Sequence, residues 1–231
     1  MRNLKNILLS LIIAFSTFSF SEVAEVYQWK AFPGKSMEMM ESMLKAAEIH
    51  EKQGAKVAID VHNVGSTQLV NYVLRWDDSK SYAASKDIQA SSDEWVEFWA
   101  EANQNPSGEM MASFSANNLD QSRKASDFDG SYVYSVNVWK VETGKDMELI
   151  QRFMSSKPIL EKAGARVEIY QANWGAPGEY HYVLMFDSWS ALEESFSKLG
   201  PGSEWAAYMQ SRADDEIIAE QTAWFTGQTA N

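Results

Sequence analysis

The sequence predicts an α+β protein made of two tandem βαββαβ units that pack their antiparallel sheets together within one chain. Three observations predict it. Residues 26–99 match residues 136–209 at a constant offset of 110, with 23 identities in 74 positions and no gap. Within each half, apolar residues recur with helical spacing after the first strand and alternate with a period of two along the next two strands. The third strand of each half is apolar on both faces, so it needs cover on both. A repeat of this length is a duplicated domain, not a solenoid unit.

The elements follow in order. Arg2 and Lys5 precede an apolar run, Ile7–Phe18, and Ser19-Phe20-Ser21 places small residues where a signal peptidase reads. Residues 1–21 are therefore expected to be a secretory signal cut after Ser21, with a periplasmic or secreted product. The run is too short to span ~30 Å of hydrocarbon, and no integral membrane segment is expected after signal removal. The first unit covers 22–118, a polar linker 119–131, and the second unit 132–231.

Val23–Ala31 reads as the first strand, mirrored by Tyr132–Val141. A helix follows, with Met37, Met40, Leu44 and Ala47 on its apolar stripe, and Met147, Ile150 and Met154 in the second copy. Gly54 and Gly164 suit a left-handed helix end. Pro158 should bend or split the second copy of that helix. A hairpin follows: Lys56–Asn63 with Leu69–Trp76, and Arg166–Asn173 with Tyr180–Phe186. Asp77 and Asp187 are candidate N-caps for a broken helical segment, and Ser91–Glu94 resembles a capping box before Trp95. Met110–Ala116 and Ile217–Phe225 complete the units.

Along the third strand, Val70, Tyr72, Leu74 and Trp76 point one way, while Leu69 and Val73 point the other. Helices cover one face. The twin sheet is the natural cover for the other, face to face or as a closed barrel. A monomer built as an internal pseudo-dimer is the simplest expectation, and a higher oligomer stays open.

Composition narrows the partners. The chain has 32 acidic against 20 basic residues, and loss of Arg2 and Lys5 would leave a net charge of about −14. Nucleic acid is not expected, because it selects basic patches. With no cysteine, disulfides, thiolate metal sites and a cysteine nucleophile are excluded.

Tyr72–Asp78 (YVLRWDD) and Tyr182–Trp189 (YVLMFDSW) each end a strand in an aromatic-Asp pair before a helix. With the duplicated βαββαβ pattern, they resemble the dimeric α/β-barrel superfamily of ferredoxin-like units. Its members include antibiotic-biosynthesis-type monooxygenases, muconolactone isomerases, chlorite dismutases and NIPSNAP-like proteins. The resemblance covers nearly all of the expected mature chain and implies a fused version carrying both units. It also implies a site in a sheet–helix cleft or inside the barrel. Haem is bound by some relatives, but no attachment motif occurs here, and no cofactor and no metal site are expected.

Only three histidines are present. His50 aligns with Leu160 and reads as a helix-end or core residue. His62 and His181 align with Ala172 and Asn71, so each belongs to one copy only. His62, His181, Asp60 and Arg75 are the candidate catalytic residues, with a His–Asp pair as base and partner. Asn71, Tyr170, His181 and Arg75 are the candidate ligand-binding set, and with Asp60 and His62 they are expected to converge on a shared cavity. The expected function is an exported small-molecule-binding or stress-related protein, with a small apolar or aromatic ligand. The alternatives are a cofactor-independent monooxygenase or isomerase acting on an aromatic or polyketide-like compound, and a haem-binding protein.

Overall fold

The computed structural model describes residues 22–65 and 68–230; the expected secretory signal lies outside them. The elements are β1 (Val23–Ala31), α1 (Ser36–Lys52), β2 (Lys56–Val64), β3 (Leu69–Trp76), α2 (Ser79–Ala90), α3 (Asp93–Gln104) and β4 (Gly108–Asn118). The second unit repeats them as β5 (Val133–Val141), α4 (Asp146–Ala163), β6 (Arg166–Ala172), β7 (Glu179–Phe186), α5 (Trp189–Ser197), α6 (Glu204–Ser211) and β8 (Ala219–Thr229). This is an α+β fold of two ferredoxin-like units with all eight strands antiparallel.

Each unit pairs its strands in the ferredoxin-like manner, β1 between β3 and β4, and β5 between β7 and β8. Two seams join the units. β2 pairs with β8, with Asp60 opposite Thr229 and His62 opposite Gly227. β4 pairs with β6, with Ala116 opposite Ala172. The eight strands thereby close into a barrel in the order β1-β3-β2-β8-β5-β7-β6-β4. Gly227 is required at its seam, because a Cβ there would collide with the Tyr134 hydroxyl and the Val61 carbonyl.

Pleating divides the side chains between two environments. Val70, Tyr72, Leu74 and Trp76 pack under α1–α3, while Asn71, Val73 and Arg75 line the barrel interior. In the second unit Tyr180, Tyr182, Leu184 and Phe186 pack under the helices, and His181, Val183 and Met185 point inward.

The structure corrects several local expectations. The sheet-facing stripe of α1 is Met39, Met43, Ala46, Ile49 and His50, and that of α4 is Leu149, Phe153, Ser156, Leu160 and Ala163. Met37, Leu44, Met147 and Met154 are exposed. Two apolar stripes were available at helical spacing, and the one carrying Phe153 and Leu160 docks on the sheet. α4 is not split at Pro158, since packing on both sides of the proline outweighs the lost backbone donor. The N-caps are Asp78 and Ser188, one residue beyond Asp77 and Asp187. Asp77 instead accepts a hydrogen bond from the Ala125 backbone N–H. Ser92 caps α3 through the Trp95 N–H.

The connecting segment carries a 3-10 turn, Ala125–Phe128. Phe128 is buried, with the Arg75 guanidinium 4.1 Å from its ring centroid and that of Arg166 4.5 Å away. A segment that reads as polar thus inserts its one aromatic ring at the barrel wall.

Candidate functional site

Two cavities carry polar groups. The first lies in the first unit between the sheet and helices α1 and α3, with a volume of about 340 Å3. Tyr27 and Trp29 come from β1, Met43 and His50 from α1, Tyr72 from β3, and Trp95 and Trp99 from α3. The helical stripe that buries Met39 and Met43 also delivers His50, one turn beyond Ala46.

His50 is buried and held at both ring nitrogens. Nδ1 lies 2.8 Å from the Tyr72 hydroxyl oxygen, and Nε2 lies 2.7 Å from the Gln89 amide nitrogen. The Trp95 ring packs 4.5 Å from the imidazole, centroid to centroid. With the Gln89 amide N–H donating to Nε2, the imidazole proton sits on Nδ1 and is donated to Tyr72. The Tyr72 hydroxyl proton is then free to be donated into the cleft. Burial, aided by the nearby Lys86 charge, pushes the His50 pKa down to about 4, so the ring is neutral near pH 7. Burial raises the Tyr72 pKa, which keeps that hydroxyl protonated.

A buried carboxylate supports one end. Glu25 accepts hydrogen bonds from Tyr27 at 2.8 Å and Tyr82 at 2.9 Å, and pairs with Lys86 at 2.5 Å. Glu25, Tyr27, Tyr82 and Lys86 align with Ser135, Asn137, Leu192 and Phe196. His50 and Gln89 align with Leu160 and Leu199. The corresponding space in the second unit holds Phe153, whose ring lies 4.9 Å from Tyr182, 6.2 Å from Trp139 and 6.3 Å from Tyr180, between centroids.

The second cavity is the barrel interior, about 460 Å3. Asp60, Asn71, Arg75, Tyr170 and His181 all line it. His62 does not; its ring stacks on Phe225 at 4.4 Å and meets Tyr134 edge-on. Asp60 has the Tyr132 hydroxyl 3.3 Å from Oδ2, and burial pushes its pKa up to about 6. His181 stacks on Phe114 at 4.6 Å, and burial pushes its pKa down to about 4.

Arg75 is engaged in structure. Nη1 lies 2.5 Å from Glu22 Oε1 and 2.8 Å from the Tyr170 hydroxyl, and that hydroxyl donates to Glu22 Oε2 at 2.9 Å. Glu22 is fully buried and also accepts from Asn118 at 3.1 Å. Asn118 continues to Glu168, which pairs with Arg123 and Arg166. Sequence reasoning missed Glu22, Tyr132 and the His50–Tyr72–Gln89 set. The signal for His50 was present: it breaks the repeat as His62 and His181 do.

No family model and no curated protein matches the sequence. Solved structures do match the fold. A protein from Fusobacterium nucleatum with the provisional name monooxygenase superposes with a TM-score of 0.61 at 10% identity, over 92% of this chain and 94% of that one. An anthrone oxidase-like protein superposes at 0.56 and 12% identity, over 91% and 92%. A haem-binding protein from Thermus thermophilus does so at 0.50 and 11% identity, over 93% and 92%. These likenesses show a shared fold, two ferredoxin-like units closed into one barrel.

Neither His50 nor His62 is placed to hold a haem. Both nitrogens of His50 are already hydrogen-bonded, and His62 lies flat on Phe225 within the wall. His181 is stacked on Phe114 inside the barrel. Among the described residues no group of three His, Asp or Glu side chains is placed to hold a metal ion, and no helix is long and apolar enough to cross a membrane.

Proposed function

We propose that this is an exported small-molecule-binding protein whose ligand occupies the first-unit cleft. The ligand class is a flat, largely apolar aromatic or polyketide-like compound with one acceptor oxygen, which takes the Tyr72 proton. One observation carries the reading: the hydrogen-bonded pair His50–Gln89 stands where the second unit has Leu160 and Leu199. Burying two polar side chains in place of two leucines costs free energy unless they do something a packed core does not. Aromatic walls with a few fixed polar groups, at about 340 Å3, have the character of a small-ligand pocket.

Binding without chemistry is favoured over a cofactor-independent oxygenase or isomerase. A general base works best with a pKa near the operating pH, whereas His50 is pushed down to about 4 and both its nitrogens are occupied. The anthrone oxidase-like name of one fold neighbour keeps aromatic compounds in view as ligands. The test compares 1-indanone with indane, which lacks the acceptor oxygen, by quenching of the cleft tryptophans. Wild type should prefer the ketone by about tenfold, the worth of one well-made hydrogen bond. Tyr72→Phe should erase that preference while still binding both. No preference in the wild type would overturn the proposal.

A further inference from the structure

The barrel interior holds chemistry that the cleft does not use. Asp60 and Asn71 are direct cross-strand partners on β2 and β3. Both line the cavity, and both are more than nine-tenths buried, at 6% and 8% exposure. Asp60 Oδ1 and Asn71 Oδ1 each lack a hydrogen-bond partner. Two neighbouring acceptors at the wall of one cavity, both without a donor, call for N–H groups.

The charges point the same way. Arg75 is the one cation among the described residues that line the cavity, and its ion pair is with Glu22 at 2.5 Å. Asp60 has one hydrogen-bond donor, the neutral Tyr132 hydroxyl, and feels the Arg75 charge without pairing with it. A second carboxylate, Glu179, stands on the wall 3.9 Å from His181 Nε2. Much of the remaining wall is apolar or aromatic, with Val26, Val73, Val136, Val138, Tyr134 and Phe225 beside the polar Gln28, Ser113 and Thr222. Aromatic faces beside a carboxylate attract an organic cation twice over, by charge and by the ring quadrupole.

We infer that the barrel interior is a second binding site, separate from the cleft, which takes a small organic ammonium compound with its N–H groups on Asp60 and Asn71 and its hydrocarbon part against the valines. There is one such site per chain, because the aligned positions in the other half are Tyr170 and His181. A buried carboxylate whose neighbouring cation is already paired to Glu22 is expensive, and a bound ammonium group supplies a charge of its own.

The experiment is calorimetric titration of residues 22–231 with benzylamine and with benzyl alcohol at pH 7.5. Benzylamine should bind at least tenfold more tightly than the alcohol. Asp60→Asn should remove that preference. Val73→Leu, which narrows the cavity without touching a polar group, should weaken benzylamine at least fivefold and leave 1-indanone unaffected. The double variant Met43→Phe/His50→Leu, which copies Phe153 and Leu160 into the cleft, should leave benzylamine unchanged. Equal binding of amine and alcohol, retention of the preference in Asp60→Asn, or loss of benzylamine in the cleft variant would each overturn the inference.

Discussion

The Tyr72 hydroxyl meets His50 at 2.8 Å, whereas its counterpart Tyr182 meets Ser156 at 2.9 Å. Ser156 aligns with Ala46, so the tyrosine's partner has moved one helical turn, from the position of 46 to that of 50. In the second unit the serine returns the tyrosine to its own helix and leucines close the space. In the first, a histidine and a glutamine take over at the wall of the cleft. Two copies of one scaffold thus differ at the point where a ligand would be met.

Filling the cleft should abolish binding without harming the fold. Met43→Phe with His50→Leu installs the packing of Phe153 and Leu160. The expected result is loss of 1-indanone binding by more than tenfold. The change in stability should be small: cavity filling commonly adds 0.5–2 kcal/mol, and overpacking would remove a similar amount. Thermal melts and tryptophan quenching on one preparation check both halves.

Acid should destabilise the protein through its histidines. His50 and His181 have folded-state pKa values near 4, below the ordinary 6.5. The unfolded chain then binds more protons between those limits, so stability is fully present above pH 6.5 and is lost as pH falls toward 4. Each contributes on the order of 2–3 kcal/mol. Asp60 acts oppositely, since its folded-state pKa of about 6 exceeds the ordinary 3.8: it favours the fold below pH 3.8 and costs stability as pH rises through 6. The groups around these three include Glu25 and Lys86 at His50, Glu179 at His181, and Arg75 and Tyr132 at Asp60. Urea melts from pH 4 to 8 should show His50→Leu and His181→Asn flattening the acid limb. Asp60→Asn should stabilise the protein at pH 8. A His variant with an unaltered acid limb would refute the assignment.

Arg75 should prove structural. Arg75→Met, which copies its counterpart Met185, strands the fully buried Glu22. Removing one partner of a buried pair costs about 3–5 kcal/mol. Glu22→Gln on the same background should recover most of that loss, a coupling a double-mutant cycle reads directly.

Phe128 should matter more than its surroundings suggest. Phe128→Ala removes a buried ring lying between two guanidinium groups, and about 3 kcal/mol or more of stability should go with it. Equilibrium denaturation measures the difference. Substituting the exposed neighbour Ser126 should stay within ~0.5 kcal/mol.

Export is testable by itself. Expressed from its first residue in a Gram-negative host, the protein recovered from the periplasm should begin at Glu22, one residue before β1. A product that keeps Arg2 and Lys5 would refute the leader reading.

Strand faces were legible because alternation is local: Tyr72 and Tyr182 on the helix side, Val73 and His181 on the other, follow from pleat alone. The helix stripe was not. Met37, Met40 and Leu44 satisfy the same period as Met39, Met43 and His50, and only docking on the sheet selects between them. His50 was passed over for a related reason. Its meaning lies in Gln89, 39 residues further on, and in a tyrosine on another strand. Glu22 was read as the start of a chain, and its value depends on Arg75, Asn118 and Tyr170, far away in sequence.

The sequence by itself determined the duplication, the element order and the two-sided third strand, because repeats and periodicity are written in neighbouring residues. The tertiary structure alone decided which strands meet at the two seams, that the connecting segment buries Phe128, and that one cleft keeps polar walls while the other is packed with Phe153 and leucines. Those outcomes rest on contacts between residues tens to more than a hundred positions apart. No local pattern encodes them, because their free energy exists only once the barrel has closed.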